Sequence, residues 1–172
     1  MPLPDSPILQ AIHARRSIRH FLAAPVSRDL ILTALEAASW APSGLNNQPW
    51  RFALIWDKPT QEALAGLTRY SHILNSAAVL IAVFLDKEHS YDYTKDCQAV
   101  GACLQNLLLA LHSLDLGAVW IGEILKNKPR VLEILELPQH LELMAIVAVG
   151  LPASQSQKSH RLPLAELILL EK

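Results

Sequence analysis

Two basic clusters, one near each end of the chain, hold the side chains best suited to binding an anion. The first is RRSIRH at residues 15–20, and the second is KSHR at residues 158–161. Side chains alternate along an extended backbone, so Arg15, Ser17 and Arg19 would point the same way. Two guanidinium groups and a hydroxyl on one side suit a phosphate or another dianion. A solvated basic turn is the alternative, and the second cluster gains weight only if the fold brings it beside Arg15.

The segment APSGLNNQPWRF, residues 41–52, has the composition of a turn shaped to hold a ligand. Pro42 and Pro49 stiffen its ends, and Gly44 permits a positive φ and a close approach of another group to the backbone. Its hydrogen-bonding side chains are Ser43, Asn46 and Gln48. Such a turn could bind a planar heterocycle with carbonyl and imide edges, while Trp50 anchors the strand that follows. A rigid structural turn is the alternative interpretation.

Two further segments combine apolar and polar residues in informative ways. In WIGE, residues 120–123, a glycine directly follows an apolar strand, so backbone N–H groups at Gly122 and Glu123 could face a ligand. An ordinary turn at the end of a strand is the alternative. Gln105 and Asn106 interrupt an apolar helix, and we expect them to find partners that tie the core together.

Several classes of protein are disfavoured by motifs that the sequence lacks. It contains no GxGxxG after a strand, no GxxxxGK[ST], no GxSxG and no HExxH, and its two cysteines, Cys97 and Cys103, do not form a CxxC. We expect both thiols to be buried and reduced. A net charge of −1 predicts no general affinity for nucleic acid or anionic membranes. The apolar run at residues 99–111 is too short and too polar to span a bilayer, and residues 1–10 lack a signal-peptide pattern, so a cytoplasmic location is expected.

The elements that must position these residues follow from apolar periodicity and from turn residues. The predicted helices are about 7–15, 27–41, 60–67, 92–113 and 129–135, and the predicted strands are 50–56, 77–85, 118–121 and 143–149. This order indicates an α+β domain spanning residues 1–172, in which helices surround a mostly buried sheet. The helix at 92–113 is almost apolar all round and should be buried. An apolar C-terminal arm, about residues 158–172, has no obvious partner within the chain.

Taken together and in order, five segments resemble a small member of the nitroreductase family of FMN-dependent flavoproteins. They are RRSIRHF (15–21), APSGLNNQPWRF (41–52), DCQAVGACLQNLLLA (96–110), LGAVWIG (116–122) and RLP (161–163). The resemblance covers about residues 8–164. It implies a central, mostly antiparallel sheet surrounded by helices, with the long buried helix at the interface of a homodimer.

The resemblance also implies where a tightly bound FMN would lie, at the subunit interface. Arg15 and Ser17 would contact the phosphate together with Lys158 and Arg161, and Arg19 would lie toward flavin N1 and the C2 carbonyl. Pro42, Ser43, Gly44 and Asn46 would come from the other subunit, and backbone donors at Gly122 and Glu123 would lie near N5 and O4. The remaining candidates for contact with the cofactor are Arg16, Gln48 and, with a looser alignment, Arg69 and His72. No catalytic side chain or metal is expected, since flavin N5 carries the hydride.

The activity implied is a ping-pong transfer of hydride from NADH or NADPH through FMN to an electron-poor small molecule such as a nitroaromatic, a quinone or an enone. Three alternatives stay open: fragmentation of reduced flavin, dehalogenation, and a non-catalytic FMN-binding or anion-binding dimer. Gly44 replaces a serine found in many relatives. The chain also lacks the helical insertion that larger relatives place over the flavin, at about residues 85–96, where Tyr91 and Tyr93 could line the pocket instead.

Overall fold

The computed structural model describes residues 5–172 and confirms the predicted α+β class. Its helices are α1 (Pro7–Ala14), α2 (Arg28–Ser39), α3 (Lys58–Ala65), α4 (Ser71–Ser76), α5 (Tyr93–Ser113), α6 (Lys128–Ile134) and α7 (Leu164–Leu167). Its strands are β1 (Trp50–Ile55), β2 (Val79–Asp86), β3 (Gly117–Ile121) and β4 (Leu141–Gly150). Three 3-10 turns cover Gly44–Asn46, Lys87–His89 and Glu123–Asn127. Among the described helices, none is long and apolar enough to cross a membrane.

The four strands form one antiparallel sheet in the order β1-β2-β4-β3. Trp50 pairs with Leu85 at one end of β1, and Gly117 pairs with Gly150 at the start of β3. All eight residues of β2 are buried, as its unbroken apolar run predicted. Helices therefore cover both faces of the sheet at its centre.

Each face of the sheet has its own core because the side chains of β2 alternate between the two faces. Ile81 and Val83 belong to a cluster with the buried side of α5 and with α2, while Leu80 and Phe84 belong to a second cluster with α3, α4 and α6. This three-layer arrangement explains why β2 shows no polar alternation. It also makes α5 the main helical layer on one face.

Helix α5 is buried along one face rather than all round, which corrects the sequence-based expectation. Its buried residues are Asp96, Ala99, Val100, Cys103, Leu104, Leu107, Leu108 and Leu111. Gln105 is exposed and Asn106 is half-buried, and neither side chain forms a hydrogen bond within residues 5–172. The expectation that they tie the core together is wrong, because Gln105 follows the buried Cys103 by two residues, or about 200° around the helix.

Two helix predictions also differ from the structure. Asp57, not Thr60, caps α3, since its carboxylate accepts the Thr60 N–H at 3.0 Å and the helix begins at Lys58. Helices α4 and α7 were not predicted, because six and four residues are too few to show an apolar stripe. The other boundaries agree with the predictions within two or three residues, and the side chain of Ser6 caps α1 as expected.

The C-terminal arm finds little cover in its own chain. Its exposed large apolar side chains are Leu162, Leu164, Leu167, Ile168, Leu169 and Leu170. At the far edge of the sheet, β1 pairs only with β2 within the described residues. Both features leave apolar surface and backbone hydrogen-bonding groups available to another chain.

Candidate functional site

The first basic cluster lies in an extended segment that is fastened to the open side of β3. Ser17 forms a parallel bridge with Ala118, and the Ile18 N–H donates to the Ala118 carbonyl at 3.0 Å. Ile18 is buried, so the flanking Ser17 and Arg19 point outward together. The alternation predicted from the sequence is therefore present.

Glycines in β3 and β4 allow this segment to approach the sheet closely. A Cβ at Gly117 would lie 2.8 Å from Ile18 Cγ2, and a Cβ at Gly150 would lie 2.9 Å from the ring of Phe21. Real Cβ atoms do not approach other atoms so closely, so a larger residue would push the segment outward. The position of Arg15, Ser17 and Arg19 thus depends on two residues that carry no side chain.

The fold brings the second basic cluster beside the first, as the site hypothesis required. One cleft of about 210 Å³ is lined by Arg15, Arg16, Ser17, Arg19, Gln157, Lys158, Ser159 and Arg161. Arg16 ties the two segments together, because its Nε donates to the Gln157 carbonyl at 3.1 Å. Residues that are more than 140 positions apart in the chain thereby form one basic surface.

The charge in this cleft is not neutralised by the chain. Within residues 5–172, no carboxylate lies within 4.0 Å of the five basic side chains that line it. Burial, followed by the like charges of Arg161 and Arg16, lowers the pKa of Arg15 below its ordinary value. The repulsion would be relieved by an anion, so the cleft has the electrostatics of an anion site.

A polar atom beside the same cleft also lacks a partner. Gln157 Oε1 is buried and accepts no hydrogen bond within the described chain, although its Nε2 donates to the Ser154 carbonyl. A ligand that combines a phosphate with hydroxyl groups would supply both the missing anion and a missing donor. The donor set therefore fits a phosphorylated polyol better than a bare inorganic anion.

The turn at residues 41–52 is rigid, but not for the reason first expected. Gly44 does not have a positive φ, whereas Leu45, Asn46 and Gln48 have φ values of 54°, 55° and 45°. The Ser43 hydroxyl holds this conformation by accepting the Gln48 N–H at 3.0 Å. The second expectation for Gly44, a close approach, is confirmed, since a Cβ there would lie 1.7 Å from the hydroxyl oxygen of Tyr91.

A buried carboxylate that sequence reasoning missed fastens this turn to α5. Asp96 is fully buried, and its Oδ1 accepts from Asn47 Nδ2 at 2.7 Å. Its Oδ2 accepts from the Ser90 hydroxyl at 2.7 Å and from the N–H groups of Tyr91 and Asp92 at 3.0 and 3.3 Å.

Burial alone would raise the pKa of Asp96, but these hydrogen bonds outweigh burial and hold that pKa below its ordinary value. The carboxylate is therefore ionised and joins three segments, namely the turn, residues 90–92 and α5. The sequence signal was available: Asp96 is an acidic residue at the start of a buried helix and opens one of the five recognised segments.

The turn after β3 exposes its backbone because the Glu123 side chain points elsewhere. That carboxylate accepts from the Thr68 hydroxyl at 2.6 Å and from the Arg69 N–H at 3.2 Å, and it also pairs with Lys126. Hydrogen bonds from Lys126 and Thr68 lower the pKa of Glu123 to about 2. Arg69 is thereby placed next to the Gly122–Glu123 turn, while its guanidinium carbon lies 5.2 Å from the centroid of the Tyr70 ring.

Distances along the elements decide which groups can meet in one chain. Ser17 pairs with Ala118, and Gly122 follows four residues later, about 13 Å along the strand at 3.3 Å per residue. A single elongated ligand could therefore reach both the basic cleft and the Gly122–Glu123 turn.

The turn at 41–52 and Arg15 lie against well-separated parts of α5. The turn contacts α5 at Asp96, whereas Arg15 lines a cavity with Leu108, twelve residues or about 18 Å further along the helix. The two groups of candidate residues therefore border different parts of α5 in each chain.

A third group of potential ligands contains one buried carboxylate, Asp86, whose oxygens are already engaged. Oxygen or nitrogen atoms of Asp86, Glu88 and His140 lie within 4.8 Å of one another. Arg51 and His89 both pair with Asp86 Oδ2, at 2.9 and 2.8 Å, and the Glu88 N–H donates to Oδ1. These contacts indicate that the Asp86 carboxylate has a structural role, since it joins β2 to Arg51 on β1.

The chain resembles known proteins over nearly its whole length. A model of the nitroreductase family matches residues 12–151. A crystal structure of a provisionally named nitroreductase in complex with FMN, from Desulfovibrio desulfuricans, matches with a TM-score of 0.93 and 49% identity, covering 98% of this chain and 99% of that one. A provisionally named NADH dehydrogenase/NAD(P)H nitroreductase from Archaeoglobus fulgidus is 31% identical over 150 residues, or 86% of each protein. The oxygen-insensitive NADPH nitroreductase of Salmonella typhimurium is 32% identical over an alignment of 181 residues, covering 96% of this chain and 74% of that protein.

Proposed function

The chain belongs to the nitroreductase family, and from that premise we propose that it is an FMN-dependent oxidoreductase that uses NADH or NADPH. In this proposal the nicotinamide and an electron-poor acceptor, such as a nitroaromatic, a quinone or an enone, enter the same pocket in turn by a ping-pong mechanism. The observation that carries the proposal is the cleft of un-neutralised basic side chains, about 13 Å along β3 from an exposed glycine turn.

The residues that line the cleft match the chemical groups of FMN. Arg15, Ser17, Lys158 and Arg161 would bind the phosphate, since charge-assisted hydrogen bonds from several donors anchor a dianion well. Gln157 Oε1 would accept from a hydroxyl of the ribityl chain, which gives this buried atom its missing partner. Arg19 and the backbone at Gly122–Glu123 would then face the ring.

The bound flavin supplies the redox chemistry, and the protein supplies position and charge. Arg19 would place a fixed positive charge beside the ring edge where negative charge accumulates on reduction, which would favour transfer. Backbone donors at Gly122 and Glu123 would orient the ring, and the hydrogen bonds that Thr68 and Arg69 donate to the Glu123 carboxylate hold that turn in place. No nucleophile or metal from the chain is needed.

We further propose that the site is completed in a homodimer. The turn at 41–52 contacts α5 about 18 Å along the helix from Leu108, which lines a cavity with Arg15, and this separation favours a flavin shared with the turn of a second copy. Two large apolar residues near this turn, Trp40 and Leu45, are 80% and 86% exposed and would be covered by that copy. Part of the partner's surface would also cover the C-terminal arm. The cytoplasmic location stays a prediction.

An absorption spectrum, followed by anaerobic addition of NADH and then NADPH, tests the proposed activity. We expect flavin bands near one FMN per chain that bleach with at least one nicotinamide and return when a nitroaromatic or quinone is added. Bands that do not bleach would contradict the proposed electron donor and favour flavin fragmentation or dehalogenation. A colourless protein that cannot be loaded with FMN would contradict the proposal entirely.

Mixed dimers test whether each site is shared between subunits. Arg15→Ala removes a phosphate contact and Asn46→Ala removes a group on the turn, so either variant alone should bind FMN weakly at both of its sites. A dimer containing one chain of each kind would have one intact site and one doubly altered site. Recovery of tight binding at about half the normal stoichiometry is expected, and no recovery would contradict a shared site.

A further inference from the structure

A small cavity beside the 41–52 turn is lined by side chains that the proposed function has not yet used. It measures about 320 Å³ and is lined by Pro42, Ser43, Gly44, Tyr91, Lys95, Gln98, Ala99 and Ala102. Its floor consists of small residues on α5 and in the turn. Its wall consists of a phenol, an ammonium group and an amide, all with exposed side chains.

The phenol of Tyr91 is held in this wall from two directions. The tip of its ring lies against Gly44, where a Cβ would be 1.7 Å from the hydroxyl oxygen and 2.6 Å from Cζ. Its backbone N–H donates to the buried Asp96 carboxylate at 3.0 Å, and so does the Ser90 hydroxyl just before it. The absence of a side chain at Gly44 therefore makes room for the tyrosine.

The functional groups in the wall remain available to a ligand. The Tyr91 hydroxyl forms no hydrogen bond within residues 5–172. Lys95 Nζ lies 5.3 Å from the centroid of the Tyr91 ring and forms a long, exposed ion pair with Asp92 at 3.9 Å, which a ligand carboxylate could replace. The cavity thus presents a hydrogen-bond donor and a positive charge side by side.

We propose that Tyr91 and Lys95 recognise the electron acceptor and favour planar acceptors that carry a carboxylate or another anionic oxygen group. This inference rests on the proposed function, in which the 42–46 turn borders the flavin of the second subunit. Tyr91 would donate to an oxygen of the acceptor, and Lys95 would attract its negative charge.

Equilibrium binding to the oxidised, FMN-loaded protein tests this recognition without requiring turnover. The probes are 4-nitrobenzoate and 4-nitrobenzamide, which have nearly the same shape but differ in charge, and binding is followed by the change in flavin absorption. Wild type should prefer the carboxylate, and the preference should weaken with added salt. Lys95→Gln should reduce the preference by about 2- to 5-fold, the range for an exposed ion pair. Tyr91→Phe should weaken the binding of both probes by about 2- to 10-fold, the range for one hydrogen bond.

Two variants from the same part of the chain serve as controls. Tyr93→Phe removes a hydroxyl that donates to Glu142 rather than lining the cavity, and Lys87→Gln removes an exposed charge outside it. Both should bind the probes like wild type, and all four variants should keep the wild-type affinity for FMN. The same preference for 4-nitrobenzoate in wild type and Lys95→Gln would overturn the proposal. A loss of FMN affinity in Tyr91→Phe would also overturn it. Absence of bleaching by NADH and NADPH would contradict the proposed function but leave this binding test intact.

Discussion

Replacing Arg15 by alanine should weaken FMN binding without weakening the fold of the unliganded protein. The guanidinium is partly buried, forms no hydrogen bond within residues 5–172 and is repelled by Arg161 and Arg16. Its removal relieves that repulsion, so the free energy of unfolding without FMN should stay unchanged or rise slightly. With FMN bound, the variant loses a charge-assisted hydrogen bond of about 1.5–3 kcal/mol. That corresponds to about a 10- to 150-fold increase in Kd.

Fluorescence titration of FMN and urea unfolding with and without FMN measure the two effects separately. A ligand at about 1,000 times its Kd stabilises a protein by about 4.1 kcal/mol, and a 100-fold weaker Kd reduces this to about 1.4 kcal/mol. Arg28→Ala, which removes an exposed arginine on α2, should change neither quantity. Unchanged FMN affinity in Arg15→Ala would refute the assignment of the phosphate site. A loss of stability of the same size with and without FMN would instead identify a structural arginine.

Three further predictions concern the elements that support the site. Gly117→Ala should lower the free energy of unfolding in urea by about 1–3 kcal/mol, because the added Cβ would lie 2.8 Å from Ile18. An unchanged free energy of unfolding would show that the segment around Ile18 can move. Cys97 is half-buried, which corrects the expectation that both thiols are buried. Because burial raises the pKa of Cys103 to about 12, only Cys97 should react readily with a thiol reagent at pH 8 before unfolding, and two equally fast thiols would contradict this. Asp96→Asn should lower the free energy of unfolding by about 1–3 kcal/mol at neutral pH. Since the folded-state pKa of Asp96 is lowered, its contribution is complete above the ordinary value of 3.8 and disappears as pH falls through the folded value, so wild-type and variant urea midpoints should converge in acid.

The helices and strands with clear apolar patterns could be predicted because their periodicity reflects burial directly. The β2 run is apolar on successive residues, and the structure shows both of its faces covered. The predictions that failed concern residues whose surroundings are not set by their neighbours in the chain. Gln105 lies in an apolar sequence but on the outer face of α5, and Thr60 competes for the cap of α3 with an aspartate three residues earlier.

In the candidate site, too, local features could be predicted from the sequence and contacts between distant segments could not. Arg15, Ser17 and Arg19 could be chosen from the sequence, because alternation in an extended segment is a local property of the backbone. The close approach at Gly44 could be predicted, but the group that approaches could not, since the atom that needs the space belongs to Tyr91, 47 residues later in the chain. Asp96 could have been noticed as an acidic residue at the start of a buried helix, but its contact with Asn47 joins two distant segments and could not be predicted.

The sequence by itself determined the α+β class, most of the element boundaries, the family and the side chains suited to an anionic cofactor. Only the tertiary structure decided that the two basic clusters share one cleft, that a buried carboxylate fixes the turn, and that the turn contacts α5 about 18 Å along the helix from Leu108, which borders Arg15. Local propensity and periodicity act over a few residues, so the sequence states them directly. Distances between segments depend on how the two faces of the sheet are packed, and that packing is settled only when the whole chain folds.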